Sequence, residues 1–376
     1  MSFVVIGGGL AGISAALTLQ DAGESVELYE AADDLGGRVR SDYVDGYILD
    51  RGFQLINDGY PELKRLKVIG EIDFQRMSRS IDVMTPFGLT SIGDPRLHPL
   101  QALTSPLGSF GEKFAFLRFL FSRAGADISL RDSLLAHGAG DFYSNLIEPF
   151  LKGVFLTPLE HVDSGYAQEI IKGFLQGSSG LPNAGVGALT SALGARIESV
   201  YLNSEIEDLA QFAGRKIVVA TDAYTAAKLL NLPAPAQQAG SVTWYHRLPS
   251  GLVTSDRLRV ASVSSHIVNS IAISNALPSY APEGCTLISS TSCDSISDGQ
   301  AQDEISKFWQ VSPSECELIS RYEIPHSLPI FSSSRRRIES TLVEEKIAIA
   351  GDYLTAGSQN GALLSGRLAA NELLAH

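Results

Sequence analysis

Three glycines and one acid carry the first chemical signal in this chain. Gly7, Gly9 and Gly12 follow the apolar run Ser2-Phe3-Val4-Val5-Ile6, and Ile13 to Ala22 then reads as a helix. Val26-Glu27-Leu28-Tyr29-Glu30 reads as a second strand, and its last carboxylate lies eighteen residues beyond Gly12. In this order each glycine has its own use. Gly7 allows a tight turn, Gly9 lets the backbone approach a pyrophosphate, and Gly12 lets helix and strand pack closely. The N-terminus of that helix offers phosphates its free N–H groups and partial positive charge. Glu30 stands where a carboxylate accepts from ribose hydroxyls and would repel a 2′-phosphate, which disfavours NADP. This spacing alone does not separate FAD from NAD.

The elements that must position such a site lie far apart in the chain. Directly after the acid comes Ala31-Ala32-Asp33-Asp34-Leu35-Gly36-Gly37-Arg38. Its glycines permit close backbone approach, and Arg38 supplies a permanent fork-shaped cation suited to a diphosphate. Gly46-Tyr47-Ile48-Leu49-Asp50-Arg51-Gly52-Phe53-Gln54 reads as a strand and turn. Near the other end, Lys346-Ile347-Ala348-Ile349-Ala350-Gly351-Asp352 is an apolar strand closing on Gly-Asp. Ser358-Gln359-Asn360-Gly361-Ala362 then opens a last helix that runs to about Leu374.

Together these segments resemble the flavoprotein superfamily of amine oxidases, protoporphyrinogen oxidases and phytoene (carotenoid) desaturases, over essentially the whole chain. The resemblance implies an α/β fold in which a Rossmann-like FAD-binding domain of glutathione-reductase type is discontinuous. That domain would comprise residues 1–60, 181–235 and 335–376. A substrate domain of mixed sheet and helices would comprise 61–180 and 236–334. FAD is the implied cofactor, held non-covalently because no cysteine near the C-terminus is available for a bond. Its pyrophosphate would meet Gly7, Gly9, Leu10, Ala11 and Gly12, and its adenosine Glu30, Ala31 and the backbone of Ile206. The Gly36-Gly37-Arg38 turn would lie against pyrophosphate and flavin, with Gly52 and Phe53 beside the ring. Gly351 and Asp352 would meet the ribityl chain. Gln359, Asn360 and Ala362, at the head of the last helix, would meet the flavin N1–C2=O edge, where a positive helix end favours negative charge.

Between these motifs the chain reads less sharply. Pro149-Phe150-Leu151-Lys152-Gly153-Val154-Phe155 and Leu181-Pro182-Asn183-Ala184-Gly185-Val186-Gly187 are similar to helical and glycine-rich pieces of the same family. No suitable strand precedes Gly185 and Gly187 and no acid follows them, so a second dinucleotide site is not expected. Ser199 to Leu209 alternates like a strand continuing the first sheet, and Arg215 to Asp222 reads as a buried strand. The link between these two strands is shorter than the β-meander that relatives carry. Beyond the Pro233–Gln238 break, repeated strand patterns interrupted by a helix near Asp303–Trp309 predict a largely antiparallel second sheet.

The branch of the family is expected from one departure. Ser358 stands where amine oxidases of this type place an aromatic residue, whereas desaturase-like members have a small one. Arg321-Tyr322-Glu323-Ile324-Pro325-His326-Ser327-Leu328-Pro329 also resembles the desaturase-like segment. The resemblance thus implies hydride removal from a C–H bond of an apolar or conjugated substrate, with oxygen, a quinone or another acceptor reoxidising the flavin. No general base is evident; Lys152, Tyr322, His326 and Tyr353 are pocket candidates. The alternatives are an amine oxidase releasing hydrogen peroxide and an FAD-binding isomerase.

Composition narrows the partners. The 376 residues carry a net charge of −13, which opposes nucleic acid and electrostatic attachment to anionic membranes. At most peripheral membrane contact is expected. Cys285, Cys293 and Cys316 form neither a disulfide framework nor a metal-ligand cluster. No apolar run spans a bilayer and no leader is read at the N-terminus, so a cytoplasmic protein is expected. Glu112 to Arg123 is apolar nearly all round as a helix, which predicts burial; the alternative is a membrane-dipping or substrate-gate helix.

Overall fold

Four of the five residues of Ser2–Ile6 are buried, so this strand needs neighbours on both edges and cover on both faces. In the computed structural model, which describes residues 2–123, 127–262, 264–333 and 340–376, it finds both. Ser25–Tyr29 pairs with it in parallel on one side and Lys216–Val219 on the other. The complete sheet runs Val200–Tyr201, Ser25–Tyr29, Ser2–Ile6, Lys216–Val219, Ile347–Ile349 and Leu342–Glu344. Only the last strand is antiparallel. This is the doubly wound α/β arrangement that the opening residues predict.

Two helices from opposite ends of the chain cover one face. Leu10–Asp21 and the last helix, Gln359–Ala375, lie against each other through small residues. A Cβ on Gly366 would collide with the Ala11 carbonyl, and the Ser14 hydroxyl donates to the Leu363 carbonyl at 2.7 Å. Both ends of the chain therefore meet at the carboxyl edge of the first strand.

The second sheet has seven strands, ordered Glu317–Pro329, Gln238–Pro249, Cys285–Ser292, Ile267–Ala272, Leu258–Ala261, Ser80–Thr85 and Gly88–Gly93. It is antiparallel, as predicted, except where Leu258–Ala261 runs parallel to Ser80–Thr85. Helix Asp298–Trp309 packs its apolar side on one face around Trp244, Ile288 and Phe308. A separate apolar cluster gathers the helices Phe110–Phe121, Leu130–His137, Glu148–Phe155 and Ser164–Phe174.

Two expectations are corrected. The strand expected over 199–209 is limited to Val200–Tyr201; Asn203 turns the chain at φ 52°, and a 3-10 turn at Leu209–Phe212 follows. The helix expected over 112–123 begins at Phe110 and is not buried all round. Phe119 and Leu120 are inside, but Phe114 and Phe121 are exposed, because the core contacts only one side of it.

Candidate flavin site

The two glycine turns predicted from sequence meet in space. Gly7 turns at φ 103°, and its N–H donates to the Tyr29 carbonyl at 2.8 Å. The Gly36 N–H donates to the Gly8 carbonyl at 2.8 Å, which lays the Leu35-Gly36-Gly37-Arg38 turn beside the first. Glycines 9 and 12 differ in what surrounds them. A Cβ on Gly12 would collide with the Gly7 carbonyl, whereas one on Gly9 meets nothing within 4 Å. Gly12 is thus needed for packing, and Gly9 borders open space at the head of a helix. Leu10 and Ala11 are buried behind it, and Ala31 is exposed beyond the strand end.

Glu30 is held by backbone. Its carboxylate accepts from the Gly8 N–H at 2.6 Å and the Ala32 N–H at 2.9 Å. These bonds fix it at the strand end and leave further acceptor capacity for hydroxyls. The Ser204 N–H donates to the Glu30 carbonyl at 2.8 Å, which brings the Ile206 segment alongside; the Ile206 side chain itself is buried against Val4 and Ile6.

At the other end of the site, residues from both chain termini converge. An Arg38 guanidinium nitrogen lies 2.7 Å from an Asp352 carboxylate oxygen, and a second donates to the Ser327 carbonyl. The cation that sequence offered to a diphosphate is therefore neutralised by the acid offered to a ribityl hydroxyl. Of the two side chains Arg38 is 40% exposed and Asp352 6%, so the guanidinium keeps an open side. Gln54 donates to the Arg38 carbonyl at 2.6 Å and accepts from Gln359 at 3.3 Å. The Gln359 side-chain amide oxygen is buried without a partner among the described residues. Ser358 caps the last helix by accepting from the Gly361 N–H at 3.0 Å. Asn360 has a structural task, accepting the Glu62 N–H at 3.1 Å at the start of helix Pro61–Leu66. Gly351 donates to the Ser365 hydroxyl at 3.0 Å, and Ala362 packs against the main core. Gly52 faces Ile324, whose Cδ1 would lie 2.9 Å from an added Cβ, and Phe53 is half-buried nearby.

The residues present suit a flavin dinucleotide: an open glycine at a helix head, an anchored acid, an orphaned amide oxygen and a guanidinium with one free side. The four pocket candidates are not brought together. The Tyr322 hydroxyl donates to Asp42 at 2.8 Å; burial and that carboxylate push its pKa up to about 12, so it is no base at neutral pH. His326 is exposed and stacks on Tyr224 at 4.3 Å. Tyr353 is buried against Ile206 and Ile349, and burial raises its pKa. Lys152 lines a separate cavity of 280 Å³ with Ser144, Glu148, Ala261, Ser264 and Val268.

Residues that sequence reading missed form an aromatic wall. Tyr166 stacks on Phe331 at 4.4 Å and tilts against Phe155 at 5.8 Å, and its hydroxyl accepts the Gly357 N–H at 3.1 Å. Gly357 directly precedes the cap of the last helix, so the wall stands beside the site. Gln54 had a signal, since it closes the Asp-Arg-Gly-Phe-Gln run; Tyr166 had none, being 191 residues from its partner in the chain.

Residues 10–291 match the family model described as flavin containing amine oxidoreductase. The chain belongs to that family. That description is of flavin-containing oxidoreductases. A rice polyamine oxidase 3 (Oryza sativa subsp. japonica) is 26% identical over 66% of this chain and 54% of its own length. A 4,4'-diaponeurosporene oxygenase of Staphylococcus aureus is 44% identical over 15% of this chain and 12% of its own. The matches thus span about half or less of these relatives. An oxidoreductase structure from Methanosarcina mazei superposes with a TM-score of 0.76 at 15% identity, covering 100% of both chains, and so shares the fold.

Proposed function

We propose that this protein is an FAD-dependent oxidoreductase that oxidises an apolar or conjugated organic substrate. One observation carries the reading: the Phe155-Tyr166-Phe331 wall stands at the head of the last helix. Aromatic faces bind apolar or conjugated molecules, and the charged pair of the candidate site, Arg38 and Asp352, is internally neutralised. Bound FAD would supply hydride acceptance from a substrate C–H bond. The chain would supply the rest. Glu30 and the open turn at Gly9 would hold the adenosine and pyrophosphate, and the N-terminus of the last helix would favour negative charge at its end of the cofactor. Gln359 would use its free amide oxygen to fix the ring, and the aromatic wall would position the substrate and exclude water. Segments 1–60, 181–235 and 335–376 would form the cofactor unit, and 61–180 with 236–334 the substrate unit. Attachment of the FAD is non-covalent, and reoxidation would use oxygen, a quinone or another acceptor.

A second reading, an amine oxidase releasing hydrogen peroxide, draws on the family model and on the similarity to a polyamine oxidase. Anaerobic mixing of the purified protein with conjugated polyenes and, separately, with polyamines distinguishes the two. Loss of the flavin's visible absorption with polyenes alone is the expected result. Loss with polyamines, followed by peroxide on admitting air, would replace the proposal. A preparation carrying NAD and no flavin would overturn both.

A further inference from the structure

Helix Phe110–Phe121 is apolar on two sides, and only one of them is covered. Phe119 and Leu120 point into the helical core, with Ala115 beside them. Phe110, Phe114, Leu117 and Phe121 are spaced i, i+4, i+7 and i+11, so they form one stripe on the opposite side. Their exposures are 62%, 68%, 47% and 78%. The helix is firmly built. Ser109 and Glu112 form a reciprocal capping box, with the Ser109 N–H donating to the Glu112 carboxylate at 2.7 Å. The Lys113 ammonium donates to the carbonyls of Leu103 at 2.8 Å and Ser105 at 2.6 Å, tying down helix Pro99–Thr104. Leu100 and Leu103 of that shorter helix are exposed as well.

The charge around this stripe opposes that of the molecule. From Ser109 to Arg123 the sequence has the cations Lys113, Arg118 and Arg123 against the single carboxylate Glu112, in a chain of net charge −13; Arg96, on the shorter helix's approach, is paired with Asp94 at 2.5 Å. Glu112 is engaged by its capping box and by the Asp141 N–H at 2.6 Å. Arg118 is exposed and donates to the neutral His137 carbonyl at 2.8 Å; Arg123 is exposed at the end of the helix. An apolar stripe rimmed by arginines suits a flat, negatively charged, partly apolar surface. A second copy of the chain suits it poorly, because a two-fold contact would press the same arginines together.

We infer that this face docks on the surface of an anionic membrane, with the phenylalanine stripe at the headgroup boundary and Arg118 and Arg123 at lipid phosphates. The contact is peripheral, since no helix among the described residues is long and apolar enough to cross a bilayer. The acidic remainder of the molecule is repelled by the same lipids, which sets the orientation. The buried side of the docked helix belongs to the apolar cluster that also contains Phe155, Tyr166 and Phe331, so docking would place the candidate site's wall next to the lipid phase. The surface stands apart from the substrate reading, because it rests on exposure and charge alone.

The test is co-sedimentation of the purified full chain with vesicles of phosphatidylcholine alone or mixed equally with phosphatidylglycerol. Binding to the mixed vesicles only, weakened by salt, is expected. Phe114→Ser with Phe121→Ser should lower the partition coefficient by about tenfold per ring. Arg118→Glu with Arg123→Glu should remove the preference for phosphatidylglycerol. Both pairs are exposed, so thermal unfolding should match the unaltered chain. Three results overturn the inference: no binding to mixed vesicles, unchanged binding by the phenylalanine pair, or a dimer in light scattering that this pair abolishes. The last would assign the face to a second copy.

Discussion

Asp50 offers a direct measurement of what burial does where the two sheets join. Its carboxylate accepts from the Ser41 hydroxyl at 2.6 Å and the Val186 N–H at 2.9 Å through one oxygen. The other oxygen accepts from the Tyr280 hydroxyl at 3.0 Å, and the Asp50 carbonyl accepts from the Tyr245 hydroxyl at 2.8 Å. Burial outweighs these donors and raises the carboxyl pKa from 3.8 to about 6. Because the fold favours the protonated form, the stability tied to this group is fully present below about pH 3.8. It is lost as pH rises through about 6. A shift of that size corresponds to about 3 kcal/mol, of which about 1 is lost by pH 4.5 and about 2 more by pH 7.5. Asp50→Asn keeps the shape, accepts from Ser41 and Val186 through its amide oxygen, and cannot ionise. The quantity to measure is the unfolding free energy of the variant minus that of the unaltered protein, from urea titrations at each pH, so that other carboxylates cancel. It should rise by about 2 kcal/mol between pH 4.5 and 7.5. A difference that stays flat, or falls with pH, refutes the dominance of burial over the three donors.

Three further substitutions test close contact and burial elsewhere in the molecule. Gly9→Leu should leave unfolding of the flavin-free protein within about 0.5 kcal/mol of the flavin-free unaltered chain, while flavin absorbance per polypeptide as purified falls about tenfold. Gly12→Ala, which drives a methyl into the Gly7 carbonyl, should destabilise by about 3 kcal/mol; equal effects of the two on stability would contradict the geometry. His246 is fully buried, neither ring nitrogen is bonded among the described residues, and burial lowers its pKa from 6.5 to about 4. The stability tied to its neutral form is lost as pH falls from about 6.5 through about 4. His246→Leu should therefore stabilise by about 1 kcal/mol at pH 7.5 and by about 2.5 kcal/mol more at pH 4.5, read from the same titrations.

The opening β-α-β unit was legible in the sequence because the pattern that defines it is contiguous, although its first strand also pairs with Lys216–Val219. Ser2–Ile6, Leu10–Asp21 and Ser25–Tyr29 lie within thirty residues; Gly12 packs on the Gly7 carbonyl, and Glu30 accepts the Gly8 N–H across that short span. Family resemblance added the Gly36-Gly37-Arg38 turn and the terminal Gly-Asp helix, since these are contiguous patterns too. Tertiary structure decided what no local pattern encodes. Arg38 and Asp352 neutralise each other across 314 residues, so neither charge could be assigned its role from its own neighbours. Tyr166 reaches Gly357 across 191 residues and makes an aromatic wall from side chains that read only as core. The helix Phe110–Phe121 is apolar nearly all round, and periodicity could not say which side the core would cover. That choice depended on where the helices around Phe142 and Tyr166 packed. It left Phe110, Phe114, Leu117 and Phe121 facing outward, because a helix buries only the side that has neighbours.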